Sequence, residues 1–288
     1  MKRNLWKWLD LKSQSTTEPD IEDFENEILS KIDTFTRETI QNSSDATIKG
    51  STTEIIFKTG KAKITDSRIL NQLNELRATS SELKPIGNGD KEIKWLLASD
   101  QNTTGILGNV EERTDDYWNF FLNWGKSNKK EQNTKGLNGR GRITILEASL
   151  CKTIIVITFR EGDKEPLVNA LSLFGQHKDI YGNLKDYWAY LVKDEKDNVF
   201  QLHQGDDLLS DIVLITGEIE GITKNPKPGT HILILEPHEQ ITKEHIIASS
   251  IEHFLPSFLQ EKMNMKYNES TLDTGNVIEE AKKLINED

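Results

Sequence analysis

The sequence predicts an α+β fold: a two-layer α/β sandwich with one mixed, mostly antiparallel sheet covered on one face by helices. Helical patterns gather near the start and the end of the chain, and β-rich runs follow one another between them. This arrangement is typical of an α+β domain, because each apolar face must be buried against another layer. The 288 residues suffice for one large domain or two small ones.

Composition limits the classes of function. The formal net charge of −11 argues against a surface built to neutralise phosphates. Nucleic acid is therefore expected only through a partner or a local basic loop. No run approaches the roughly 18 apolar residues of a membrane span, so we expect a cytoplasmic protein with no membrane partner. The single cysteine, Cys151, adjoins a β-prone run and is predicted to be a buried thiol.

The first half of the chain opens with an arm over residues 1–20, whose polar, Pro-containing end predicts a helix start near Asp20. Apolar residues then recur at spacings of three and four, which predicts a helix lying on a core. These residues are Ile21, Phe24, Ile28, Ile32 and Phe35. "TEIIFKTGKAKITD" predicts two short strands around Thr59-Gly60, "DSRILNQLNELRA" a helix and "KEIKWLLASD" a strand.

The second half begins with "DDYWNFFLNW", a predicted aromatic-rich helix, and a Lys, Asn and Gly-rich loop from Gly125 to Arg142. A short helix is predicted at "ITILEAS", and strands at "TIIVITF", "YWAYLV", "DIVLITGEI" and "THILILE". Two helices are predicted around 243–263 and 276–286. We therefore divide the chain into the arm, a domain over 21–240, and C-terminal helices over 241–288.

The first predicted helix turns polar where its apolar stripe should continue. Past Phe35, steps of three and four reach Glu38, Asn42 and Asp45, so the pattern predicts two acids and an amide turned toward the core. Buried groups of this kind need partners from protein, water or a ligand. A helix end that simply faces solvent is the alternative, and this segment alone does not decide between them.

Two further segments favour a ligand. Asp100 and Asn102 follow a predicted strand and precede Gly105 and Gly108. An aspartate at a strand end accepts a hydrogen bond from an exocyclic amine, and glycines let the backbone approach a flat or phosphorylated ligand. A Gly-Thr pair ending at Thr230 leads into another strand, where the hydroxyl could point at the same pocket. Asp, Asn and Gly are also ordinary turn residues.

A glycine-rich loop precedes the short helix at "ITILEAS". Gly136, Gly139 and Gly141 leave backbone N–H groups beside a helix N-terminus, which favours an anion. Positive charge is added by Lys135, Arg140 and Arg142. A flexible glycine loop without a ligand explains this segment equally well.

In this order and spacing the motifs resemble those of the GHKL ATPases, the superfamily of DNA gyrase, the ninety-kilodalton heat-shock chaperone, histidine kinases, MutL and MORC proteins. The resemblance spans roughly residues 21–240 and implies the Bergerat-type fold. "ETIQNSSDA", from Glu38 to Ala46, is the most specific match, to E-x-x-x-N-x-x-D-A. The cofactors implied are ATP and Mg²⁺.

The resemblance assigns a role to each motif. Glu38 would be the general base for water, Asn42 the Mg²⁺ ligand and Asp45 part of the pocket wall. Asp100 would bind the adenine amine. The remaining nucleotide-binding residues would be Asn102, which stands where glycine is common, Gly105, Gly108, the lid residues Gly136, Gly139, Gly141 and Arg142, and Thr230 near the adenine.

The implied function is slow ATP hydrolysis with lid closure and an ATP-dependent homodimer or a partner subunit. The arm with Trp6 and Trp8 is a candidate strap to the other protomer. "NTTG" after Asp100 is similar to bacterial ATP-binding proteins found beside restriction and phage-defence genes, so antiviral defence is expected. The alternatives are an ATP-binding conformational switch with little or no hydrolysis, and a scaffold that has lost its nucleotide.

Overall fold

A computed structural model describes most of the chain. The described residues are 6–10, 28–87, 92–110, 112, 117, 120–121, 140–191, 203–204 and 206–286. Six α-helices are assigned within them: α1 (Ile28–Asp45), α2 (Arg68–Arg77), α3 (Arg140–Glu147), α4 (Asp206–Thr216), α5 (Lys243–Leu259) and α6 (Val277–Asn286). No helix in these ranges is long and apolar enough to cross a membrane.

Eleven strands form one sheet within the same ranges. They are β1 (Trp6–Asp10), β2 (Thr53–Lys63), β3 (Glu92–Gln101), β4 (Thr153–Phe159), β5 (Leu167–Leu173), β6 (His177–Lys178), β7 (Leu184–Leu191), β8 (His203–Gln204), β9 (Gly229–Leu235), β10 (Met263–Tyr267) and β11 (Ser270–Leu272).

The strand order is β1-β7-β5-β4-β9-β3-β2-β10-β11, with β6 on β7 and β8 on β5. Only the β2–β10 pair among these strands is parallel. The predicted α+β class with a mixed, mostly antiparallel sheet is therefore confirmed. Strands from both flanks of the predicted 21–240 domain, β1 and β10, join the same sheet.

The sheet buries both of its faces, because successive side chains of a strand point in opposite directions. Along β3, Leu96 and Ala98 belong to the core shared with α1, α3 and α5. Trp95 and Leu97 belong to the core shared with α2 and α4. The structure thus adds a second helical layer to the two layers predicted, with α2 and α4 covering the other face.

The predicted hairpin around Thr59-Gly60 is wrong, because residues 53–63 form the single strand β2. It pairs with β3 along its whole length, from Glu54 opposite Gln101 to Lys63 opposite Glu92. A Cβ on Gly60 would overlap the indole ring of Trp95. The glycine therefore makes room for a large neighbour on the adjacent strand and does not form a turn.

The predicted strand at "DIVLITGEI" is also wrong, since residues 206–216 form helix α4. Its buried side chains, Leu208, Ile212 and Ile215, recur at steps of four and three, while Leu214 is exposed. That spacing is the apolar stripe of a helix packed on one side. The β-branched residues favoured a strand, but the tertiary packing of one helical face decides the outcome.

The arm is not an exposed strap in the part that is described. Trp6 and Trp8 lie on β1, which pairs antiparallel with β7, and both are buried. The Trp6 indole N–H donates to the Ile69 carbonyl oxygen at 3.0 Å, and that of Trp8 to the Thr79 hydroxyl at 3.1 Å. These tryptophans belong to the protein's own core because the edge strand carries them onto α2.

The other elements were confirmed, were not predicted, or lie outside the described residues. Confirmed are α2, α3, β3, β4, β7, β9, α5, α6 and the part of the first helix from Ile28 onward. Strands β1, β5, β6, β8, β10 and β11 were not predicted as strands. Most of the aromatic-rich segment and of the glycine-rich loop lies outside the described residues. Cys151 is buried as predicted, and burial raises the pKa of its thiol to about 11.

The first backbone N–H groups of helix α2 are capped by a side chain from another helix. Asp211, in the middle of α4, accepts hydrogen bonds from the backbone N–H groups of Arg68 and Ile69, each at 2.7 Å. It also accepts one from the Ser67 hydroxyl at 2.8 Å. Ser67 is the N-cap residue of α2 and accepts from the Leu70 N–H. One buried carboxylate therefore satisfies helix-start donors and fastens α4 to α2.

We predict that Asp211→Ala lowers the free energy of unfolding by about 2 kcal/mol or more, because two backbone donors and a hydroxyl lose their acceptor in a buried position. Urea denaturation measures the change. The control is Glu218→Ala, which removes an exposed acid shortly after the same helix. Equal stability of the two variants would contradict the capping role.

Candidate functional site

Asp100, next to the last residue of β3, carries a buried carboxylate that holds three elements together. Oδ1 accepts from the backbone N–H of Thr230 at 2.9 Å and from the Thr103 hydroxyl. Oδ2 accepts from the hydroxyl of Ser43, on α1, at 2.8 Å. The residue is 7% exposed. Burial raises the pKa of Asp100, and the three hydrogen bonds partly oppose that rise.

Two glycines let the backbone close around this carboxylate. A Cβ on Gly229 would collide with the carbonyl oxygen of Asp100. A Cβ on Gly105 would come within 2.7 Å of the Thr158 hydroxyl and 2.8 Å of the Phe159 carbonyl oxygen, and its φ of +67° is unfavourable for other residues. The glycine at 105 is therefore required by packing against β4 and β9, and the predicted approach of its backbone to a ligand stays a prediction.

The end of α1 and the segment after β3 are tied together by backbone hydrogen bonds. The Thr104 N–H donates to the Ala46 carbonyl oxygen at 2.8 Å, and the Ile48 N–H donates to that of Asn102 at 2.9 Å. Asn102 has a φ of +63°, which explains why an asparagine can stand where a glycine is common. Its side-chain amide donates to the Thr52 carbonyl oxygen at 2.8 Å. A ligand contact by Asn102 stays a prediction.

Gly108, also proposed as a nucleotide contact, lies on a turn held by an arginine. Its φ is +110°, and its carbonyl oxygen accepts from Nη1 of Arg160 at 2.8 Å. Arg160 also pairs with Asp163 at 2.6 Å. Between the two glycines, the Ile106 N–H donates to the Thr158 hydroxyl at 2.8 Å. The segment is thus fastened to β4 and the turn after it.

Helix α1 does not turn its acids and amide toward the core, which corrects the sequence interpretation of that face. Asn42 and Asp45 are exposed, and the side chain of Glu38 is 18% exposed. Glu38 lies 3.5 Å from a guanidinium nitrogen of Arg37, and Asp45 accepts from the Gln41 amide at 2.8 Å. Their proposed roles as base, metal ligand and pocket wall stay predictions.

The core-facing polar residues of α1 are instead Thr36, Thr39 and Ser43, all buried. Each helical residue advances about 100° around the helix axis, so a step of three residues falls about 60° short of a full turn. The two steps of three past Phe35 therefore move the predicted stripe around the helix, away from the buried face. The predicted line of Glu38 and Asn42 therefore lies about a third of a turn from the buried face. Ser43 is the residue that brings α1 to Asp100, and the sequence analysis missed it although it lies inside the "ETIQNSSDA" motif.

The proposed lid residues fall mainly outside the described ranges. Gly136 and Gly139 are not described, and Gly141 and Arg142 lie in the first turn of α3, where only the backbone is described. Helix α3 packs against α1. The helix begins earlier than predicted, because Gly141 and Arg142 lie within α3 and not before it. The proposed phosphate contacts stay predictions.

A buried hydroxyl and imidazole pair lies behind the carboxylate. Ser99 and His231 are register partners on β3 and β9, and their side chains are joined at 2.6 Å between Oγ and Nδ1. Burial lowers the pKa of His231 to about 3, so its imidazole is neutral. Because Asp100 and Thr230 are the adjacent residues, this pair fixes the strands in the position that brings Thr230 N–H to the carboxylate.

A separate cavity of about 320 Å³ lies between α1 and α3. It is lined by Ile32, Phe35, Thr144, Glu147, Ala148, Lys152, His238 and Ile241. None of the predicted site residues is among them. The cavity is thus distinct from the candidate site around Asp100, which consists of its hydrogen-bond partners and the glycines packed beside it. Of these residues, Ser43, Thr103 and Gly229 were not predicted as site residues.

No protein-family model matches the chain, and no curated protein matches it. Among solved structures it is similar to the ATPase region of Saccharomyces cerevisiae topoisomerase II, with a TM-score of 0.42 and 9% identity. A structure of that region bound to ICRF-187 (dexrazoxane) gives a TM-score of 0.42 and 10% identity. Each match covers 88% of this chain and 53% of the other, so the chain spans about half their length.

The raised pKa of Asp100 gives a stability prediction with a definite sign. A raised folded-state pKa stabilises the fold below the unfolded value, about 3.9, and that stabilisation is lost as pH rises through the folded value. We therefore expect the free energy of unfolding of Asp100→Asn, minus that of wild type, to increase as pH rises from about 4 and then to level off. Urea denaturation across pH 4 to 8 measures it.

The control for this series is Asp66→Asn, which changes an exposed acid. The increase with pH seen for Asp100→Asn should exceed any change seen for this exposed control. A flat difference for Asp100→Asn would show that burial does not set the pKa of this carboxylate.

Proposed function

We propose that this chain binds Mg-ATP around Asp100 and hydrolyses it slowly, in the manner of a GHKL-type ATPase. The observation that carries the proposal is the buried Asp100 carboxylate. Ser43 joins it to the helix that contains Glu38 and Asn42, and Gly229 allows the neighbouring strand to contact it. The arrangement places a hydrogen-bond acceptor for a base next to a helix whose Asn42 has a side-chain oxygen suited to a metal ion. It supports the "ETIQNSSDA" resemblance.

Base binding rests on Asp100. Its carboxylate has two oxygens with about four acceptor positions, and three are used by protein donors. The remaining position accepts one N–H from an exocyclic amine, as adenine presents. Gly105 and Gly108 would let the chain after Asp100 pass close to the base, while the side of Gly105 where a Cβ would stand is packed against β4.

Hydrolysis rests on two residues one helical turn apart on α1. Glu38 and Asn42 are at i and i+4, so their side chains share one face. The Asn42 side-chain oxygen is a ligand of the kind that Mg²⁺ prefers, and the bound ion would neutralise charge on the phosphates. Glu38 would orient and deprotonate the attacking water. These side chains therefore fit a bound Mg²⁺. Positioning of the water and the phosphates would provide most of the rate enhancement.

The Gly-rich lid over Gly136, Gly139, Gly141 and Arg142 would close over the phosphates. Closure would change the contacts with a second copy or with a partner subunit, which gives an ATP-dependent homodimer as the first expectation. We assign the protein to a bacterial antiviral defence or DNA-related system on the "NTTG" resemblance. Nucleic acid would be reached through a partner or the basic loop.

A second candidate is an ATP-binding switch with little or no hydrolysis. One observation favours it: Glu38 lies beside the guanidinium of Arg37, with which it forms a partly exposed ion pair. The ion pair engages one of the carboxylate oxygens that would otherwise contact the attacking water. Partly exposed pairs of this kind are weak, so nucleotide and metal could displace Arg37, and we favour hydrolysis.

The first test is Mg-ATP hydrolysis by wild type, Glu38→Ala and Asp100→Asn, with nucleotide binding recorded for each. We expect slow turnover by wild type. Glu38→Ala should bind ATP and lose roughly 100-fold or more in kcat, because it lacks the general base. Asp100→Asn should lose ATP affinity, because the acceptor for the amine is gone.

Glu75→Ala, which removes an exposed acid on α2, is the matched control and should hydrolyse ATP at the wild-type rate. Binding by wild type without turnover would favour the switch. If wild type binds no adenine nucleotide, the proposed function is wrong.

The oligomeric state gives an independent prediction. Light scattering after size exclusion should show a doubled mass with Mg²⁺ and a non-hydrolysable ATP analogue, because lid closure would create the dimer surface. Asp100→Asn at the same concentrations should remain at its nucleotide-free mass. An unchanged mass for wild type under saturating analogue would exclude the homodimer and leave a partner subunit.

A further inference from the structure

The Ser43 hydroxyl contacts two acceptors, although it has one hydrogen to donate. Its oxygen lies 3.0 Å from the Thr39 carbonyl oxygen in the preceding helical turn and 2.8 Å from Oδ2 of Asp100. Ser43 is 3% exposed, so both contacts are shielded from solvent. When the hydrogen points to one acceptor, the hydroxyl oxygen presents a lone pair toward the other.

The two hydrogen positions correspond to two states of Asp100. If Ser43 donates to Oδ2, the carboxylate is ionised and acts as an acceptor. If Ser43 donates to the Thr39 carbonyl, its oxygen can accept a hydrogen from Oδ2, which requires a protonated Asp100. Oδ1 accepts from Thr103 and Thr230 in both states, so the difference is confined to Oδ2.

We propose that Ser43 is a specificity-determining residue, which keeps Oδ2 of Asp100 an acceptor and thereby selects a purine with an exocyclic amine over one with a carbonyl at the same position. The inference rests on the proposed nucleotide function. Adenine presents an amine donor where guanine presents the O6 acceptor. An ionised Oδ2 held by Ser43 pairs with the first and repels the second.

Loss of the Ser43 hydroxyl should weaken this selection. Without it the buried carboxylate retains hydrogen bonds on Oδ1 alone, so its charged form is less well satisfied and its protonated form is favoured. A protonated Oδ2 donates to a carbonyl oxygen. Alanine is also the better helix former, so the substitution does not act by weakening α1.

The substitution Asp100→Asn should fix the arrangement in which Ser43 donates to the Thr39 carbonyl. The amide oxygen of that variant can accept from Thr103 and Thr230 as Oδ1 does. Its amide can donate one hydrogen to Ser43, which then donates to the Thr39 carbonyl, and the other hydrogen to a ligand carbonyl. Asp100→Asn should therefore prefer guanine over adenine, where the wild type prefers adenine.

The experiment measures dissociation constants of Mg-ATP and Mg-GTP by calorimetric titration of the full chain. Ser43→Ala should reduce the ATP-to-GTP affinity ratio about tenfold, the effect expected for one hydrogen bond to a charged group. Ser44→Ala, the same change one residue along α1, should keep the wild-type ratio. Ser43→Thr retains a hydroxyl and should restore most of the ratio that Ser43→Ala loses.

The outcomes separate the two proposals. If wild type binds ATP and Ser43→Ala keeps the same ratio as Ser44→Ala, the role of Ser43 is overturned while the ATP site stands. If wild type binds neither nucleotide, both proposals are wrong. Should Ser43→Ala fail to fold by circular dichroism, Asp100→Asn decides: an ATP-to-GTP ratio below one supports the inference, and an unchanged preference for ATP overturns it.

Discussion

The buried carboxylate of Asp100 is the constraint around which this part of the fold is arranged. An ionised group removed from water needs hydrogen bonds, and here a helix, a loop and a strand each provide one, through Ser43, Thr103 and Thr230. The three donors lie far apart in the chain. The carboxylate is therefore satisfied only when α1, the segment after β3 and β9 are all in place.

The two-sided sheet makes that convergence possible. Strands β3 and β9 are neighbours near the centre of the strand order, with α1 on one face and α2 and α4 on the other. Helices on both faces bury the central residues of these strands. Gly229 then permits an approach that any Cβ would prevent. The rigidity of the site thus follows from core packing, while the glycines provide the space next to the carboxylate.

Local pattern predicted much of this molecule, and it failed where a distant neighbour decides. The stripes of α2 and α5 and the apolar runs of β4 and β9 predicted their elements, because periodicity reports burial directly. Gly60 appeared to be a turn because Trp95, which it accommodates, is far along the chain. Helix α4 appeared to be a strand because its β-branched composition outweighed its helical spacing. Asp100 was predicted as a site residue, but its partner Ser43 was not. The predicted apolar stripe of α1, extended by steps of three and four, lies about a third of a turn from the face that is buried, so it selected Glu38 and Asn42 and missed Ser43.

The fold alone does not explain why position 100 is an acid. An asparagine could accept the same two hydrogen bonds on its oxygen and donate to Ser43, and it would not require burial of a charge. The chain instead keeps a carboxylate whose ionised form is disfavoured by its surroundings, which is the typical cost of a functional group placed for a ligand. A base amine that donates to Oδ2 would supply the hydrogen bond that the protein leaves unmade. The three protein donors do not fully offset the burial of the Asp100 charge. That remaining cost is therefore an argument for the proposed ligand, whose amine would add a fourth hydrogen bond.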